Sequence, residues 1–324
     1  MFRIDRNLTA DDLGKALRRD VAEGLTSRPK QLPPKWFYDA RGSALFEEIT
    51  QLPEYYPTRA EREILVRRVD EIAAAADASA LIELGSGSGL KTRLLLDALG
   101  RHGDLTRFVP VDVSGDFLAE SAEELARAHP RLDVHAVVGD FEEHLGLLPV
   151  SEEGGRQLLA VLGSTIGNQV PARRAVFLRD IHGVLGEGDR LLLGVDLVKD
   201  PDRLVAAYDD AQGVTAEFDR NVLSVINGEL GADFDPAAFD HIARWNAEQE
   251  WIEMRLRARR DHAVHVGDLD LTVHFDEGEE MLTEISAKFR EEGLAAELAT
   301  AGFALEHWWT DPDGDFAMAL ARVR

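Results

Sequence analysis

The chain has 324 residues, 45% of them hydrophobic, and carries a formal charge of −24. That is enough apolar material for one large packed domain or two modest ones, and it excludes global disorder. The acid excess excludes nucleic acid as the main partner, since phosphate binding needs a basic footprint, and the lack of cysteine excludes disulfides and thiolate metal sites.

In chain order, the amino-terminal run MFRIDRNLTADDLGKALRRD is charged throughout and lacks the apolar core of a signal peptide. No stretch approaches the roughly 20 apolar residues of a membrane span. The expectation is a cytoplasmic protein with no membrane partner and no metal. DDLGKALRRDVAEGL has helical apolar spacing, and the prolines of SRPKQLPPK break it. FYDARGSALFEEITQLPEYYPTRAE carries many aromatics among Pro and Gly, which reads as surface lining rather than a regular core element. Thr58 and Glu61 have capping-box spacing before the helical run EREILVRRVDEIAAA.

Apolar runs and helices then alternate. ALIEL, TRFVPVDV, DVHAVVGD, QLLAVLGST and DRLLLGVDL read as buried strands, separated by helical segments such as LKTRLLLDAL and PARRAVFLRDIHGVL. This pattern predicts a parallel sheet covered on both faces, with ligands at the carboxyl ends of its strands. After DLVKDP the pattern changes. RLVAAYDDAQGVTAEFDRNVLSVINGEL and DPAAFDHIARWNAEQE read as helices. WIEMRLRA, AVHV, DLTVHF and TEISAKF read as strands. A last helix, REEGLAAELATAG, and the strands FALEHWW and FAMALARV close the chain. The predicted class is α/β, with a discontinuous second domain of α+β type. Residues 61–197 and 287–324 are grouped as one domain, and residues 1–60 and 198–286 as the other.

The loop Gly85-Ser-Gly87-Ser-Gly89 follows the first buried strand. A dinucleotide fingerprint wants Gly-x-Gly-x-x-Gly, but the third position holds Leu90. The alternating form, with Glu83 two residues ahead of the first glycine, resembles motif I of class I S-adenosylmethionine-dependent methyltransferases. Small residues there let backbone approach a cofactor closely. Asp112 closes the next strand, where one carboxylate can accept both ribose hydroxyls. Asp140 and Phe141 follow the third strand and suit an adenine amino group and ring. Each of these acids is also a common strand-end or turn residue.

PVDV, GDFEEHL, LPEYYPTRAE, LGSTIGN, LVKD, AYDDAQGVTAEFDRNVL and GEEMLTEISAKF together resemble the histidine-specific L-histidine Nα-methyltransferases of ergothioneine biosynthesis over nearly the whole chain. The resemblance implies a Rossmann-like class I methyltransferase fold, with an antiparallel carboxyl-terminal strand and a second domain for the amino acid. It implies Nα-trimethylation of L-histidine to hercynine, with S-adenosylhomocysteine as the other product, by a monomer. Gly85, Gly87, Lys91, Asp112, Asp140 and Phe141 would then contact the cofactor. Tyr55, Gly163, Asn168, Tyr208, Met254, Glu284, Ile285 and Ser286 would contact the substrate, with Thr165 lining the pocket and Tyr38 and Asn168 positioning it.

The residue types suit the roles that the resemblance assigns. Methyl transfer to an amine needs the lone pair aimed at the methyl, so positioning supplies most of the catalysis. Tyr55 and Tyr208 can donate to a carboxylate, and Asn168 can both donate and accept. Adjacent tyrosines in an extended EYYP face opposite ways, so one of them points inward. Glu284 and Ser286 share one strand face, and an acceptor beside a hydroxyl suits the two imidazole nitrogens. Tyr38 and Phe46 could wall a growing methylammonium by cation–π contact. Plainer readings stand beside these: Asn168 as a helix cap before Pro171, Glu284 and Ser286 as an exposed polar strand face, Tyr38 and Phe46 as core. No histidine stands out as a general base. Rival functions are N-methylation of another aromatic amino acid, a dinucleotide oxidoreductase, and a non-catalytic binding module on the same fold.

Overall fold

The computed structural model describes residues 1–87, 89–149 and 155–324. Its strands are β1 (Phe2–Arg6), β2 (Ala80–Leu84), β3 (Arg107–Asp112), β4 (Asp133–Val138), β5 (Gln157–Val161), β6 (Arg190–Asp196), β7 (Phe239–Asn246), β8 (Trp251–Ala258), β9 (His262–Val266), β10 (Leu271–Phe275), β11 (Glu280–Ala287), β12 (Phe303–Thr310) and β13 (Phe316–Val323). Its helices are α1 (Ala10–Thr26), α2 (Ala40–Gln51), α3 (Pro57–Ala76), α4 (Leu90–His102), α5 (Gly115–Ala128), α6 (Phe141–His144), α7 (Pro171–Val184), α8 (Pro201–Ala206), α9 (Val214–Leu230) and α10 (Glu291–Thr300). Two units result. Met1–Leu8, Pro57–Val198 and Lys288–Arg324 form the first, and Thr9–Tyr56 with Lys199–Ala287 form the second.

The first unit is built on an eight-stranded sheet in the order β1-β4-β3-β2-β5-β6-β13-β12. Strands β1 to β6 run parallel, and β13 and β12 are antiparallel. The class is therefore α/β, with the antiparallel carboxyl-terminal strand expected from the sequence. Every residue of β2 and β5 is buried, because helices cover both faces. Chain order reverses between β2 and β5. Leu84 lies opposite Val161, so the loops leaving these two strands emerge side by side. Such a switch point is where open α/β sheets bind ligands.

The sequence grouped residues 1–60 with the second domain, but residues 1–8 belong to the first unit. Strand β1 extends the parallel sheet beside β4, with Ile4 opposite Ala136. Its burial is slight, as at a sheet edge, so FRIDR carries little apolar signal to reveal it.

The second unit joins an antiparallel sheet, β11-β8-β7, and the hairpin β9-β10 to helices α1, α2, α8 and α9. Two expectations are corrected here. FYDARGSALFEEITQ is not mere surface lining, since it contains α2. Asp39 caps this helix by accepting from the Gly42 N–H at 2.7 Å, and Leu45 and Ile49 bury one face a turn apart. DPAAFDHIARWNAEQE is not a helix but a short 3-10 turn followed by β7. Its apolar spacing suits a helix, but pairing with β8 from Phe239 opposite Ala258 to Asn246 opposite Trp251 wins.

Candidate active site

In the first unit, Gly85 and Gly87 adopt left-handed φ angles of 72° and 52°, which glycine takes without strain. A Cβ on Gly87 would meet nothing within 4 Å, and one on Gly85 would meet only the Phe141 ring, at 3.9 Å. The loop thus forms an open cradle with Phe141 along one side, and Phe141 in turn packs on Phe177 at 5.8 Å. The Asp112 carboxylate accepts from the Gly87 N–H at 3.3 Å and from the Ser114 N–H at 3.0 Å. Burial pushes its pKa up, although those N–H groups oppose the shift. Asp140 follows β4, and its backbone is held by the His144 ring at 3.1 Å. Four of the expected cofactor residues therefore meet around one cradle or flank it: Gly85, Gly87, Asp112 and Phe141. Asp140 adjoins Phe141 in the chain. The fit is to a nucleoside with hydroxyls for Asp112 and a flat base for Phe141.

Glu83 braces this cradle from below. It is buried, and its carboxylate accepts from Thr92 Oγ1 at 2.6 Å and Ser86 Oγ at 3.2 Å. One partner lies in the loop and the other in the first turn of α4. Burial pushes its pKa up from 4.5 to about 7. A carboxyl whose folded pKa is raised favours the folded chain below its unfolded pKa, and that stability is lost as pH rises through the folded one. The gap corresponds to about 3 kcal/mol. Glu83→Gln is expected to remove this contribution, so its melting temperature should decline less steeply than the unaltered chain's between pH about 4.5 and about 7. Parallel melting curves for the two would refute the assignment.

Glu61 was legible only as the partner of Thr58 in a capping box, and the structure corrects this. Helix α3 begins at Pro57, and the fully buried Glu61 carboxylate pairs with the Lys91 ammonium and accepts from the Gly163 N–H at 2.8 Å. Room for it exists because position 194 is glycine; a Cβ there would lie 2.0 Å from Glu61 Oε1. Glu61 thus ties Lys91, just past the β2 loop, to Gly163, just past β5. Gly163 and Ser164 are both left-handed, at 70° and 60°. Ser164, strained as a non-glycine residue there, repays this by accepting from the Asp196 N–H at 3.0 Å. Thr165 Oγ1 donates back to the Leu162 carbonyl at 2.9 Å. Asn168 ends the following 3-10 turn, half-buried. It is not the cap of α7, whose N-cap is Val170 with no side-chain bond.

Of the expected amino-acid residues, Tyr55, Tyr208, Met254, Glu284, Ile285 and Ser286 belong to the second unit, whereas Gly163 and Asn168 belong to the first. Tyr208 Oη and Ser286 Oγ share a hydrogen bond of 2.7 Å. Aromatic contacts run from Tyr208 to Tyr55 (6.2 Å), Tyr55 to Phe46 (6.2 Å) and Phe46 to Tyr38 (5.7 Å). Tyr38 and Phe46 also pack on Phe218, so the core reading holds for them at least in part. Tyr55 and Tyr56 diverge as the alternation requires. Tyr55 faces Tyr208, whereas Tyr56 accepts from Lys199 at 2.6 Å and lies beneath Lys199 and Arg203.

Glu284 and Ser286 lie on one face of β11 and are only 8% and 3% exposed. The exposed-face reading therefore fails. An irregularity between Leu282 and Glu284 sets their register, which puts Glu284 opposite the buried Met254. Thr283 Oγ1 steadies it by donating to the Met254 carbonyl at 3.0 Å. Ile285 points to the other face by the pleat, so its backbone is the part left near Ser286. Sequence reasoning missed His241 and Asp219, a buried pair with a 2.6 Å contact; Asp219 lies within the run AYDDAQGVTAEFDRNVL without a role of its own, and His241 lies in a run read as a helix. His262 stacks on Phe275 at 5.5 Å.

A family model described as histidine-specific methyltransferase, SAM-dependent, matches residues 17–323. A histidine N-alpha-methyltransferase of Mycolicibacterium smegmatis is 58% identical over 314 residues, covering 97% of each chain. One from Mycobacterium tuberculosis is 58% identical over 316 residues, covering 97% of this chain and 98% of the relative. A 4-dimethylallyltryptophan N-methyltransferase of Claviceps purpurea is 31% identical over 212 residues, covering 62% of this chain and 61% of that one. With two near-full-length relatives and a family model spanning both units, the chain belongs to the histidine-specific, S-adenosylmethionine-dependent methyltransferases.

Proposed function

We propose that the chain trimethylates the α-amine of L-histidine, giving hercynine and S-adenosylhomocysteine, the first step of ergothioneine biosynthesis. The observation that carries the substrate reading is the buried Glu284 carboxylate on the same strand face as Ser286, which is bonded to Tyr208. Imidazole offers two nitrogens, one donor and one acceptor when neutral. A carboxylate and a hydroxyl match that pair, whereas indole offers a donor alone. Tyr55 and Tyr208 are assigned to the substrate carboxylate, with Met254 and the Ile285 backbone beside it. Gly163, Asn168 and Tyr38 are further contacts that orient the amine.

When bound, S-adenosylmethionine supplies an electrophilic methyl group on a sulfonium. Asp112 would hold the ribose hydroxyls, Asp140 and Phe141 the adenine, and Gly85, Gly87 and Lys91 the amino acid end. The chain's own task is alignment, worth up to roughly 7–11 kcal/mol when an amine is held on a near-attack line. No side chain is assigned as a strong general base. The amine arrives neutral or yields its proton to water or a tyrosine.

The protein is read as a monomer in the cytoplasm, with no nucleic acid or membrane partner; no described helix is long and apolar enough to cross a membrane. Purified protein given labelled cofactor and each of the twenty amino acids in turn is expected to trimethylate histidine alone. Transfer to tryptophan or tyrosine but not to histidine would overturn the substrate reading, and transfer to none would overturn the enzyme reading.

A further inference from the structure

Tyr208 stands in the turn between α8 and α9, outside regular helix. Its carbonyl accepts from His241 Nε2 at 2.7 Å. His241 lies on β7, and its other ring nitrogen meets Asp219 Oδ2 at 2.6 Å. The histidine side chain is 2% exposed and the aspartate 0%. A carbonyl can only accept, so Nε2 must carry a proton, and the carboxylate holds the second proton at Nδ1. The other side of the same turn is held by Asp210, which accepts from the N–H groups of Gln212, Val214 and Thr215. The peptide behind Tyr208 is thus gripped on one side by His241, and the phenol meets Ser286 on the other. A ring of fixed length transmits any backbone displacement to its hydroxyl.

We propose that His241, oriented by Asp219, is a positioning residue that seats the Tyr208 phenol against Ser286 and so sets affinity for the amino acid substrate. The role rests on the reading of Tyr208 and Ser286 as substrate contacts. Burial opposes a charge on His241, but the Asp219 bond and charge and the Tyr208 carbonyl outweigh it, and its pKa is raised. That keeps both ring nitrogens protonated and the grip in place.

Two substitutions separate the two bonds. His241→Asn keeps a polar group near Asp219 but cannot reach Tyr208, whereas His241→Gln places an amide N–H where Nε2 stands. His241→Asn is expected to raise KM for histidine by about tenfold, the loss of one buried bond. Its kcat and KM for S-adenosylmethionine should stay within about twofold, and His241→Gln should recover most of the loss. In a Tyr208→Phe background, His241→Asn should cost less than about twofold more, since the hydroxyl it seats is gone. Equal KM values for the Asn and Gln variants, or full additivity with Tyr208→Phe, would overturn the role.

Nitrogen-15 spectra of the unaltered protein give an independent check if a variant does not fold. Both His241 ring nitrogens should be protonated and should shift on addition of histidine, and unmoved signals would count against the proposal. The two readings fail separately. No transfer to histidine by the unaltered chain, or an unchanged KM in Tyr208→Phe, overturns the substrate reading and the role with it. Normal transfer with indifferent His241 variants overturns the positioning role alone.

Discussion

Glu284→Ala is expected to raise the dissociation constant for histidine by about 10- to 150-fold while moving that for S-adenosylmethionine less than about twofold, since a hydrogen bond to a charged group contributes about 1.5–3 kcal/mol. The carboxylate is nearly buried on β11, where water competes little for its oxygens. Alanine leaves an imidazole N–H without its acceptor, and a polar ligand atom desolvated without a partner is costly. Discrimination should fall as well. A site built to bond a ring N–H rejects analogues that lack it, and that rejection disappears with the acceptor. Calorimetry with each ligand separately checks this. Equal weakening of both ligands would show a general collapse of the fold around Met254 and Ser286 rather than a lost contact.

Asp112→Ala should act in the opposite sense. Two ribose hydroxyl bonds to one carboxylate are together worth about 3–5 kcal/mol, so cofactor affinity should fall by roughly 10²- to 10⁴-fold. The substitution also removes the acceptor for the Gly87 and Ser114 N–H groups, which loosens the cradle and adds to the loss. Asp112→Asn keeps an acceptor for those groups and should fall between the two. Cofactor affinity unchanged in Asp112→Ala would remove this residue from the ribose position.

Much of the first unit was legible because its signals are local. Buried parallel strands are short continuous apolar runs, and each ends at a glycine, an aspartate or a polar turn. β1 and β7 escaped for the opposite reason. Both are edge strands with half-exposed, polar-rich sequences, and only their neighbours β4 and β8 make them strands. Helix α2 was hidden by the aromatic, proline-punctuated look of its surroundings, although its cap, Asp39, stands in plain view.

The candidate site divides in the same way. The glycine loop, Asp112 and Asp140 could be read from strand ends, and the substrate residues from a resemblance spread over the whole chain. Glu61 and the His241–Asp219 pair could not. Glu61 finds Lys91 and Gly163 at separations of 30 and 102 residues, and His241 grips a carbonyl 33 residues away. A carboxylate in a helical run looks the same in sequence whether it faces water or a buried ammonium.

The sequence by itself determined the alternating sheet and its glycine loop, because hydrophobic period and glycine placement act over a few residues. Only the tertiary structure decided which of Tyr55 and Tyr56 faces Tyr208, that Glu284 and Ser286 are buried rather than exposed, and where Glu61 spends its charge. Burial and hydrogen-bond partners are properties of contacts between distant segments, and those exist only once the chain has closed on itself.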